Sequence, residues 1–445
     1  MPKTAGALTT DPVVIIGGGF AGLVAAKELK RNKIPFVLFE GGKNIGGLAQ
    51  TFTDEQGFKY DLGTHIITNR LARKLGITDQ CRDVLYFGES IWLNGRLRSY
   101  PFGLLGNKKY LIDALRSRLR FPLLRRHENL QERFIQEYGK AFATEVAIPL
   151  IEGLTGSPAH TLAADVGDKL PGIFRTIYLK LGGLFTGKAI AIGYCRELPE
   201  SWNVWHVYPN EGIKMLSERL AAEVNDHIQL NADVSRIIVG SDGVKGVEVN
   251  ENIIPTSVVI STAPVNILSQ LIDGANDLSY LYHFQYSGMI CVTIMCEGKR
   301  ILPDATLWTP EDRYSFFRLT EPSYSMPWVS PPGKSVITAD IGCKPGDNSW
   351  DLPDEDWYNA VLIQLSEIIP GIRKCLLGYK VLRVKFAYPI YYKQYEPLRR
   401  QFIKTSGVKG LYSIGRNGEF SHLLMEDVYV RTIQKMKEVI SICKY

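Results

Sequence analysis

The chain has 445 residues, of which 45% are hydrophobic and 22% are charged, with a formal net charge of +6. This composition is typical of a folded protein with two or three substructures, and so small a positive excess gives no reason to expect a nucleic-acid partner. The seven cysteines are scattered and include no Cys-x-x-Cys pair, which argues against a disulfide framework and a metal site and favours a reduced, cytoplasmic protein.

The chain opens with a polar stretch, residues 1–10, that lacks the apolar core of a secretory signal. The longest apolar stretch follows, Val13 to Ala26, and glycines interrupt it. Because it is shorter than the roughly 20 residues of a membrane-spanning helix, we expect no transmembrane segment.

The first predicted element is a buried strand over 12–16, where a β-branched run suits burial on both faces, and an Ala- and Leu-rich helix over 21–29 follows it. Between them the sequence Gly-Gly-Gly-Phe-Ala-Gly matches the G-x-G-x-x-G turn. In such a turn Gly17 makes the tight bend, Gly19 admits a pyrophosphate and Gly22 lets helix and strand pack closely. We therefore predict a dinucleotide-binding turn at Gly17, Gly19, Phe20, Ala21 and Gly22.

A second strand is predicted over 36–39 and ends at Glu40, eighteen residues beyond Gly22. A carboxylate at that position can accept hydrogen bonds from an adenosine ribose. The sequence thus contains a strand, a glycine turn, a helix, a second strand and an acidic residue in the order and spacing of a nucleotide-binding unit. This combination favours a ligand site over a glycine turn that binds nothing.

A second glycine cluster, Gly46-Gly47, follows Lys43 and precedes Leu48, and the segment Tyr60-Asp-Leu-Gly-Thr-His65 comes soon after. In these segments the sequence resembles the flavoprotein superfamily of the amine oxidases, protoporphyrinogen oxidases and UDP-galactopyranose mutases. The resemblance implies an FAD cofactor, because a long dinucleotide needs a second close approach to the backbone. It assigns cofactor contacts to Lys43, Gly46, Gly47, Leu48, Gly63, Thr64 and His65.

The resemblance also implies a fold: an α/β protein with a Rossmann-type FAD-binding domain that is discontinuous in sequence, and a substrate domain with a mixed β-sheet and a helical part. The implied FAD-binding domain comprises residues 12–72, 206–266 and 405–445. The helical part of the substrate domain is 73–205 and its β-rich part is 267–404. Strands are predicted at 228–230, 234–239, 244–249, 258–260 and 289–295, and a helix at 215–224.

Further cofactor contacts follow from the resemblance in the later segments. The backbone of Val234 is expected to contact the adenine. Gly415 and Arg416 are expected to lie against the pyrophosphate, and a helix starting at Met425 to point its N-terminus at the flavin. The positive end of a helix dipole there stabilises negative charge on a reduced flavin.

Three residues are candidates for catalysis. The family resemblance brings His65 alongside the flavin, where it is a candidate general base or flavin partner, with a structural histidine as the alternative. Arg318 follows two aromatic residues and is a candidate clamp for an anionic group, or else a structural ion-pair arginine. Tyr391 belongs to an aromatic cluster at 388–395 that suits either a pocket wall or the core.

The positive excess is concentrated between residues 107 and 126, where seven basic residues accompany one acid and interleave with leucines and other apolar residues. A solvated helix face is the simpler interpretation. Peripheral contact with an anionic membrane through 108–126, or binding of an anionic substrate, is the alternative.

For the function, the resemblance leaves two main interpretations. In the first, the protein is an FAD-dependent oxidoreductase that accepts hydride at flavin N5 from a small-molecule substrate, by C–N or C–C bond oxidation, with O2 or another electron acceptor. In the second, it is a mutase-like, non-redox flavoenzyme acting on a nucleotide sugar. The mutases carry C-terminal tyrosines where this chain has Ser421 to Leu424, which favours the oxidoreductase. A flavin-binding protein without enzyme activity is a third alternative.

Overall fold

The computed structural model describes residues 11–100, 102–105, 108–120, 127–167, 173–274 and 278–444. Its strands are β1 (Val13–Ile16), β2 (Phe36–Glu40), β3 (Thr51–Thr53), β4 (Lys59–Asp61), β5 (Ile67–Thr68), β6 (Cys81–Asp83), β7 (Glu89–Leu93), β8 (Arg96–Ser99), β9 (His206–Pro209), β10 (Ile228–Leu230), β11 (Val234–Gly240), β12 (Gly243–Val249), β13 (Asn252–Pro255), β14 (Val259–Ser261), β15 (Ile272–Gly274), β16 (Tyr286–Glu297), β17 (Thr306–Trp308), β18 (Arg318–Thr320), β19 (Lys334–Cys343), β20 (Leu376–Pro389) and β21 (Leu411–Ser413).

Its α-helices are α1 (Phe20–Arg31), α2 (Asn69–Leu75), α3 (Phe102–Leu105), α4 (Lys108–Arg120), α5 (Leu130–Tyr138), α6 (Lys140–Phe142), α7 (Ile148–Thr155), α8 (Ile173–Thr186), α9 (Lys214–Ala222), α10 (Val265–Leu271), α11 (Pro322–Ser325), α12 (Asp354–Ile368), α13 (Glu396–Lys404), α14 (Gly415–Gly418) and α15 (Met425–Cys443). The predicted strands and the helix over 215–224 overlap these elements, and the differences lie at their ends.

A five-stranded parallel sheet in the order β10-β2-β1-β14-β21 forms the centre of the nucleotide-binding half. All four residues of β1 are buried, as their β-branched side chains predict for a strand covered on both faces. Helices α1, α9 and α15 pack together on one side of this sheet. The strands come from three separated stretches of chain, and the predicted Rossmann-type α/β class is confirmed.

A second, seven-stranded sheet has the order β20-β16-β19-β18-β17-β7-β8. Its neighbours are antiparallel except for β7 and β17. Residues paired across strands share a face of the sheet. The register therefore places one row on a single face: Ile91, Trp308, Arg318, Asp340 and Cys291.

Two other parts of the chain cover that face. Gly63 lies against Met289, since a Cβ on this glycine would come within 3.1 Å of the Met289 Cε atom. Helix α7 covers it further along: a Cβ on Gly342 would lie 1.9 Å from the carbonyl oxygen of Gly153. The face that carries Arg318 is thus enclosed between the loop around Gly63 and the helical layer.

Helix α4 contains the described part of the basic segment. Leu111, Ile112 and Leu115 are about half exposed, at 48%, 47% and 56%, and Lys108 and Arg116 are exposed with them. Residues 121–126, which complete the predicted segment, lie outside the described residues. The described part is therefore an exposed helix face that is both apolar and basic.

Candidate functional site

The two glycine clusters are in direct contact. Gly46 donates its N–H to the carbonyl of Gly18 at 2.9 Å, and Gly19 pairs with Gly46 as an isolated parallel bridge. A Cβ on Gly22 would lie 2.0 Å from the Gly17 carbonyl oxygen, which explains why only glycine fits there. By contrast, a Cβ on Gly19 would meet only the Gly47 Cα, at 3.8 Å. The Gly19 backbone thus borders an open cradle, as close approach of a phosphate requires.

The Glu40 carboxylate joins the first glycine cluster to the start of the loop that leads to Gly46-Gly47. Oε2 accepts the Gly18 N–H at 2.7 Å, and Oε1 accepts the Gly42 N–H at 2.8 Å. Hydrogen bonds to a charged group contribute about 1.5–3 kcal/mol each. The predicted ribose-binding carboxylate therefore also holds the loop in shape, which the sequence spacing did not indicate.

A cavity of about 320 Å³ opens beside Glu40. Its volume falls in the range of small-molecule sites. Val234 lines it together with Gly17 and Glu40, as the predicted adenine contact requires. Its lining residues are Ile16, Gly17, Phe39, Glu40, Gly41, Ala232, Asp233, Val234, Ser235, Ala263, Ile267 and Leu271.

Gly415 and Arg416 lie against the first helix. A Cβ on Gly415, whose φ is 82°, would come within 2.7 Å of the Ala21 Cβ, so this glycine brings α14 onto α1. The Arg416 guanidinium stacks 4.4 Å above the Tyr388 ring. Its Nε atom is buried and has no hydrogen-bond partner among the described residues. A buried donor of this kind calls for a partner that a cofactor phosphate can supply.

His65 lies in the enclosed region between the two sheets. Its side chain is 17% exposed, and Nδ1 is 3.7 Å from Asp61 Oδ2, beyond hydrogen-bond distance. Burial, reinforced by the charges of Arg416 and Arg318, lowers the pKa of His65 to about 4. The imidazole is therefore neutral at neutral pH, and among the described residues its Nδ1 has no hydrogen-bond partner.

The neighbouring loop residues are fixed by the large sheet. Thr64 Oγ1 lies 3.1 Å from Thr320 Oγ1, and Gly63 adopts a φ of 85°. Leu48 packs against the apolar cluster that contains Met289. These contacts hold the predicted flavin-side loop against the face that carries Arg318.

Arg318 is engaged by a fully buried carboxylate. Its Nε and Nη2 atoms donate to Asp340 Oδ2 at 2.7 and 2.6 Å. Two of the guanidinium nitrogens are thus hydrogen-bonded to Asp340, as expected for an arginine in a structural ion pair. The charge still acts on the site, because it contributes to the lowered pKa of His65.

Tyr391 is bonded to the turn that follows Arg416. Its hydroxyl accepts the N–H of His422 at 2.6 Å, and Arg399 stacks 4.0 Å above its ring. The tyrosine that contacts Arg416 is instead Tyr388, three residues earlier. In the structure Tyr391 supports the turn, and Tyr388 faces the site.

The remaining residues predicted to contact the cofactor lie at the edges of the site. Lys43 is exposed on the loop between the glycine clusters, and Phe20 and Ala21 are buried in the first turn of α1. Met425 begins α15, where Asp427 Oδ2 accepts the N–H of Leu424 at 3.3 Å. The next residue, Glu426, binds Arg70 and Thr68 and anchors this helix start.

The sequence pattern assigned no role to Asp61 or Asp340. Burial raises the pKa of Asp61 to about 7, against the hydrogen bonds from Thr51 and Tyr208. Asp61 belongs to the Asp-Leu-Gly segment that carries the family resemblance, so that segment could have indicated a role for this carboxyl. Asp340 lies in an apolar strand, and only the cross-strand register reveals its pairing with Arg318.

The site thus combines an open cradle beside Gly19, a cavity of about 320 Å³ at Glu40, and buried nitrogens on Arg416 and His65 that have no hydrogen-bond partner among the described residues. These features suit a bound dinucleotide. Among the described residues, no three His, Cys, Asp or Glu side chains are arranged to hold a metal ion. The fold and the site define the class of dinucleotide-binding proteins with a Rossmann-type domain.

A family model described as "Flavin containing amine oxidoreductase" matches residues 20–430. The chain belongs to this family. The FAD cofactor follows from that membership and agrees with the fit of the site. The family also implies a small-molecule substrate and an electron acceptor.

The sequence identity between this chain and its individual relatives is low. The chain is 23% identical over 296 residues to protoporphyrinogen oxidase of Macaca fascicularis, a match covering 58% of this chain and 61% of the relative. It is 22% identical over 403 residues to coproporphyrinogen III oxidase of Bacillus subtilis (strain 168), covering 80% and 83%. A crystal structure of reduced UDP-galactopyranose mutase aligns with a TM-score of 0.81 at 18% identity, covering 98% and 95%.

The match to the first of these relatives spans less than two thirds of its length, and at 18% identity the structural likeness shows the fold alone. No helix in the described part of the chain combines the length and apolarity that crossing a bilayer needs.

Proposed function

We propose that the protein oxidises a C–N or C–C bond of a small or medium organic substrate, with hydride transfer to FAD. Bound FAD supplies the hydride acceptor. The observation that carries the proposal is the enclosed position of a neutral His65 between Arg318 and Arg416. A substrate held there is shielded from water on the face that the helical layer covers.

Different residues of the chain would bind the nucleotide and contact the substrate. Gly17, Gly19, Glu40, Val234 and Arg416 would hold the nucleotide. His65, being uncharged, can hold a hydrogen bond without placing a third positive charge beside the two arginines. Protonating a group of pKa about 4 at pH 7 costs about 4 kcal/mol, so a hydrogen-bonding role is favoured over that of a resident general base.

Arg318 provides a positive charge at a fixed position. It does not clamp a substrate group with two hydrogen bonds, because two of its nitrogens already donate to Asp340. Tyr388 stacks against Arg416 and lies close enough to Arg318 for the two to interact electrostatically, which supports a role as a wall of the site. Tyr391 has a positioning role through His422.

The test begins with purified protein denatured to release its cofactor, where absence of FAD contradicts the proposal. Anaerobic stopped-flow mixing with amines, porphyrinogens and hydroaromatic compounds then measures flavin reduction. In His65→Asn we expect retained FAD and at least tenfold slower reduction, and in the exposed-histidine control His160→Asn no change. The rate in wild type should show no inflection near pH 6.5 that is due to His65.

The mutase-like alternative makes a different prediction for the same preparation. Conversion of UDP-galactopyranose that appears only after dithionite reduction, without flavin reduction by any organic donor, would replace the oxidoreductase proposal. The segment Ser421 to Leu424 supplies no tyrosine hydroxyls for a nucleotide-sugar phosphate, which supports the oxidoreductase.

We further propose peripheral contact of residues 108–126 with an anionic membrane. The support is the exposed side of α4, where Leu111, Ile112 and Leu115 lie beside Lys108 and Arg116. Co-sedimentation with phosphatidylserine vesicles should fall at least fivefold in Lys108→Gln/Arg116→Gln and with 0.5 M salt. Equal sedimentation of variant and wild type contradicts the contact and leaves a solvated helix face.

A further inference from the structure

A second cavity, of about 380 Å³, lies along the free edge of the five-stranded parallel sheet. Its walls are the end of α13, the loop over 405–410, the edge strand β21, Glu419 and two side chains of α15. Among the described residues, it shares none with the cavity beside Glu40, and none of its lining residues was predicted to contact the cofactor. Its volume falls in the range of small-molecule sites. The cavity is therefore a candidate site separate from the dinucleotide site.

The loop that forms one wall of this cavity is held in a fixed shape. The Gly410 carbonyl accepts the Val259 N–H at 2.8 Å. Gly410 has a φ of 83°, and a Cβ there would lie 2.1 Å from the Ser257 carbonyl oxygen, so a larger residue would not fit. Ser406 Oγ donates to the Leu411 carbonyl at 2.8 Å and ties the loop to the edge strand. The wall is therefore in place before any ligand binds.

The edge strand offers an unused backbone donor to the cavity. The Val259 N–H bonds to the Gly410 carbonyl, and the Ile414 N–H bonds to the Ser261 carbonyl. Because alternate residues of a parallel strand bond to the same neighbour, the backbone of Ser413 points away from β14, towards the cavity that this residue lines. In the part of the chain that the structure describes, its N–H meets no acceptor. A ligand in the cavity can accept this hydrogen bond.

The charged side chains of the walls leave a positive excess. The two carboxylates are already paired, Glu419 with Arg431 at 2.7 Å and Glu438 with Lys435 at 3.3 Å. Lys404 and Lys409 also line the cavity. Both are exposed, and neither forms an ion pair with a described residue. The cavity thus has two ammonium groups whose charge is not neutralised by the protein around them.

Tyr412 adds a hydroxyl group, and the floor of the cavity adds apolar surface. Burial, with smaller contributions from the charges of Glu438 and Cys443, raises the pKa of Tyr412 to about 12. The hydroxyl is therefore protonated at neutral pH, and no described residue is hydrogen-bonded to it. Phe402 and Val408 line the same cavity and are buried in the core. This combination suits a ligand with an anionic end and an apolar body.

We propose that this cavity binds a small phosphate monoester, with the phosphate held by Lys404 and Lys409 and the organic part packed against Phe402 and Val408. A phosphate group carries about −1.5 to −2 charges at pH 7 and three strong acceptor oxygens. These match the two unpaired ammonium groups together with the free backbone N–H and the tyrosine hydroxyl. A carboxylate, with one negative charge, would neutralise only one of the two lysines. The proposal goes beyond the oxidoreductase function and does not depend on it.

Calorimetric titration tests the site with phenyl phosphate, phenol and inorganic phosphate. The protein is loaded with FAD, so that the dinucleotide site does not take up the phosphate group. We expect phenyl phosphate to bind about tenfold more tightly than phenol, which lacks the charge, and than inorganic phosphate, which lacks the apolar body.

Two pairs of lysine variants locate the binding. Lys404→Gln/Lys409→Gln should weaken the binding of phenyl phosphate about tenfold or more, because it removes two charged hydrogen-bond donors. The matched control Lys299→Gln/Lys374→Gln removes two exposed lysines that do not line the cavity, and it should leave the affinity unchanged. In Tyr412→Phe the affinity should fall several-fold.

The site is overturned if wild type shows no measurable binding of phenyl phosphate, or if Lys404→Gln/Lys409→Gln binds it as tightly as wild type. An equal loss in the two lysine pairs also overturns it, since the effect would then belong to the net charge of the protein. Inorganic phosphate that binds as tightly as phenyl phosphate overturns the assignment of an organic ester. Flavin reduction enters none of these measurements, so failure of this site and failure of the oxidoreductase function are separate results.

Discussion

Arg318 and Asp340 form an ion pair across neighbouring strands, with the carboxylate completely buried and the guanidinium Nη2 2.6 Å from its Oδ2 atom. Removing one partner of such a pair leaves the other charge buried and uncompensated, which costs about 3–5 kcal/mol. We expect Asp340→Asn to lower the free energy of unfolding by about that amount in urea denaturation. In the half-exposed pair Arg383–Asp354, Asp354→Asn should cost less than about 1 kcal/mol. Equal effects of the two variants contradict the assignment.

Gly22 lies where any side chain would collide with the Gly17 carbonyl oxygen, because a Cβ there would come within 2.0 Å of that atom. Gly22→Ala should therefore push α1 away from the glycine turn and lower FAD content at least tenfold. The matched control is Gly378→Ala, since that glycine has an ordinary φ and nothing within 4 Å of a Cβ. FAD released per chain on denaturation measures the difference, and a fully loaded Gly22→Ala protein would falsify the contact.

Glu40 joins the first glycine cluster to the loop that follows β2 through the N–H groups of Gly18 and Gly42. In Glu40→Gln, one side-chain oxygen still accepts a backbone N–H. The other oxygen is replaced by an NH2 group, which cannot accept the second N–H. The loss of a charge-assisted hydrogen bond, about 1.5–3 kcal/mol, should weaken FAD binding about 10- to 100-fold. Fluorescence titration of apoprotein with FAD measures it, with exposed Glu55→Gln as the control. Unchanged affinity would show that the loop holds its shape without this carboxylate.

Asp61 makes stability depend on pH. Burial raises its folded pKa to about 7 from an ordinary value near 3.8, so the folded state holds the proton more tightly than the unfolded state. Its contribution to stability is complete below about pH 4 and is lost as pH rises towards about 7. The denaturation midpoint of wild type should thus fall relative to that of Asp61→Asn between about pH 4 and pH 7. Parallel curves for the two proteins would assign the carboxyl an ordinary pKa.

The nucleotide half of the fold was predictable because its signals are local. The strand at 13–16, the glycine turn and the acid at 40 lie within thirty residues, and each has one steric task. The surroundings of Arg318 were not predictable in the same way. Asp340 reaches Arg318 through cross-strand register, and no local pattern specifies that register. Tyr388 and Tyr391 belong to one aromatic cluster, and only their packing separates a wall residue from a support.

Strand β21 forms the edge of the parallel sheet beside β14, and α15 packs against α1. During synthesis, the first βα unit leaves the ribosome hundreds of residues before these partners do. Until residues beyond 410 have been synthesised, the apolar face of α1 lacks the contacts that α15 and Gly415 provide. The parallel sheet and its helical cover are therefore complete only once residues 411–443 have been synthesised.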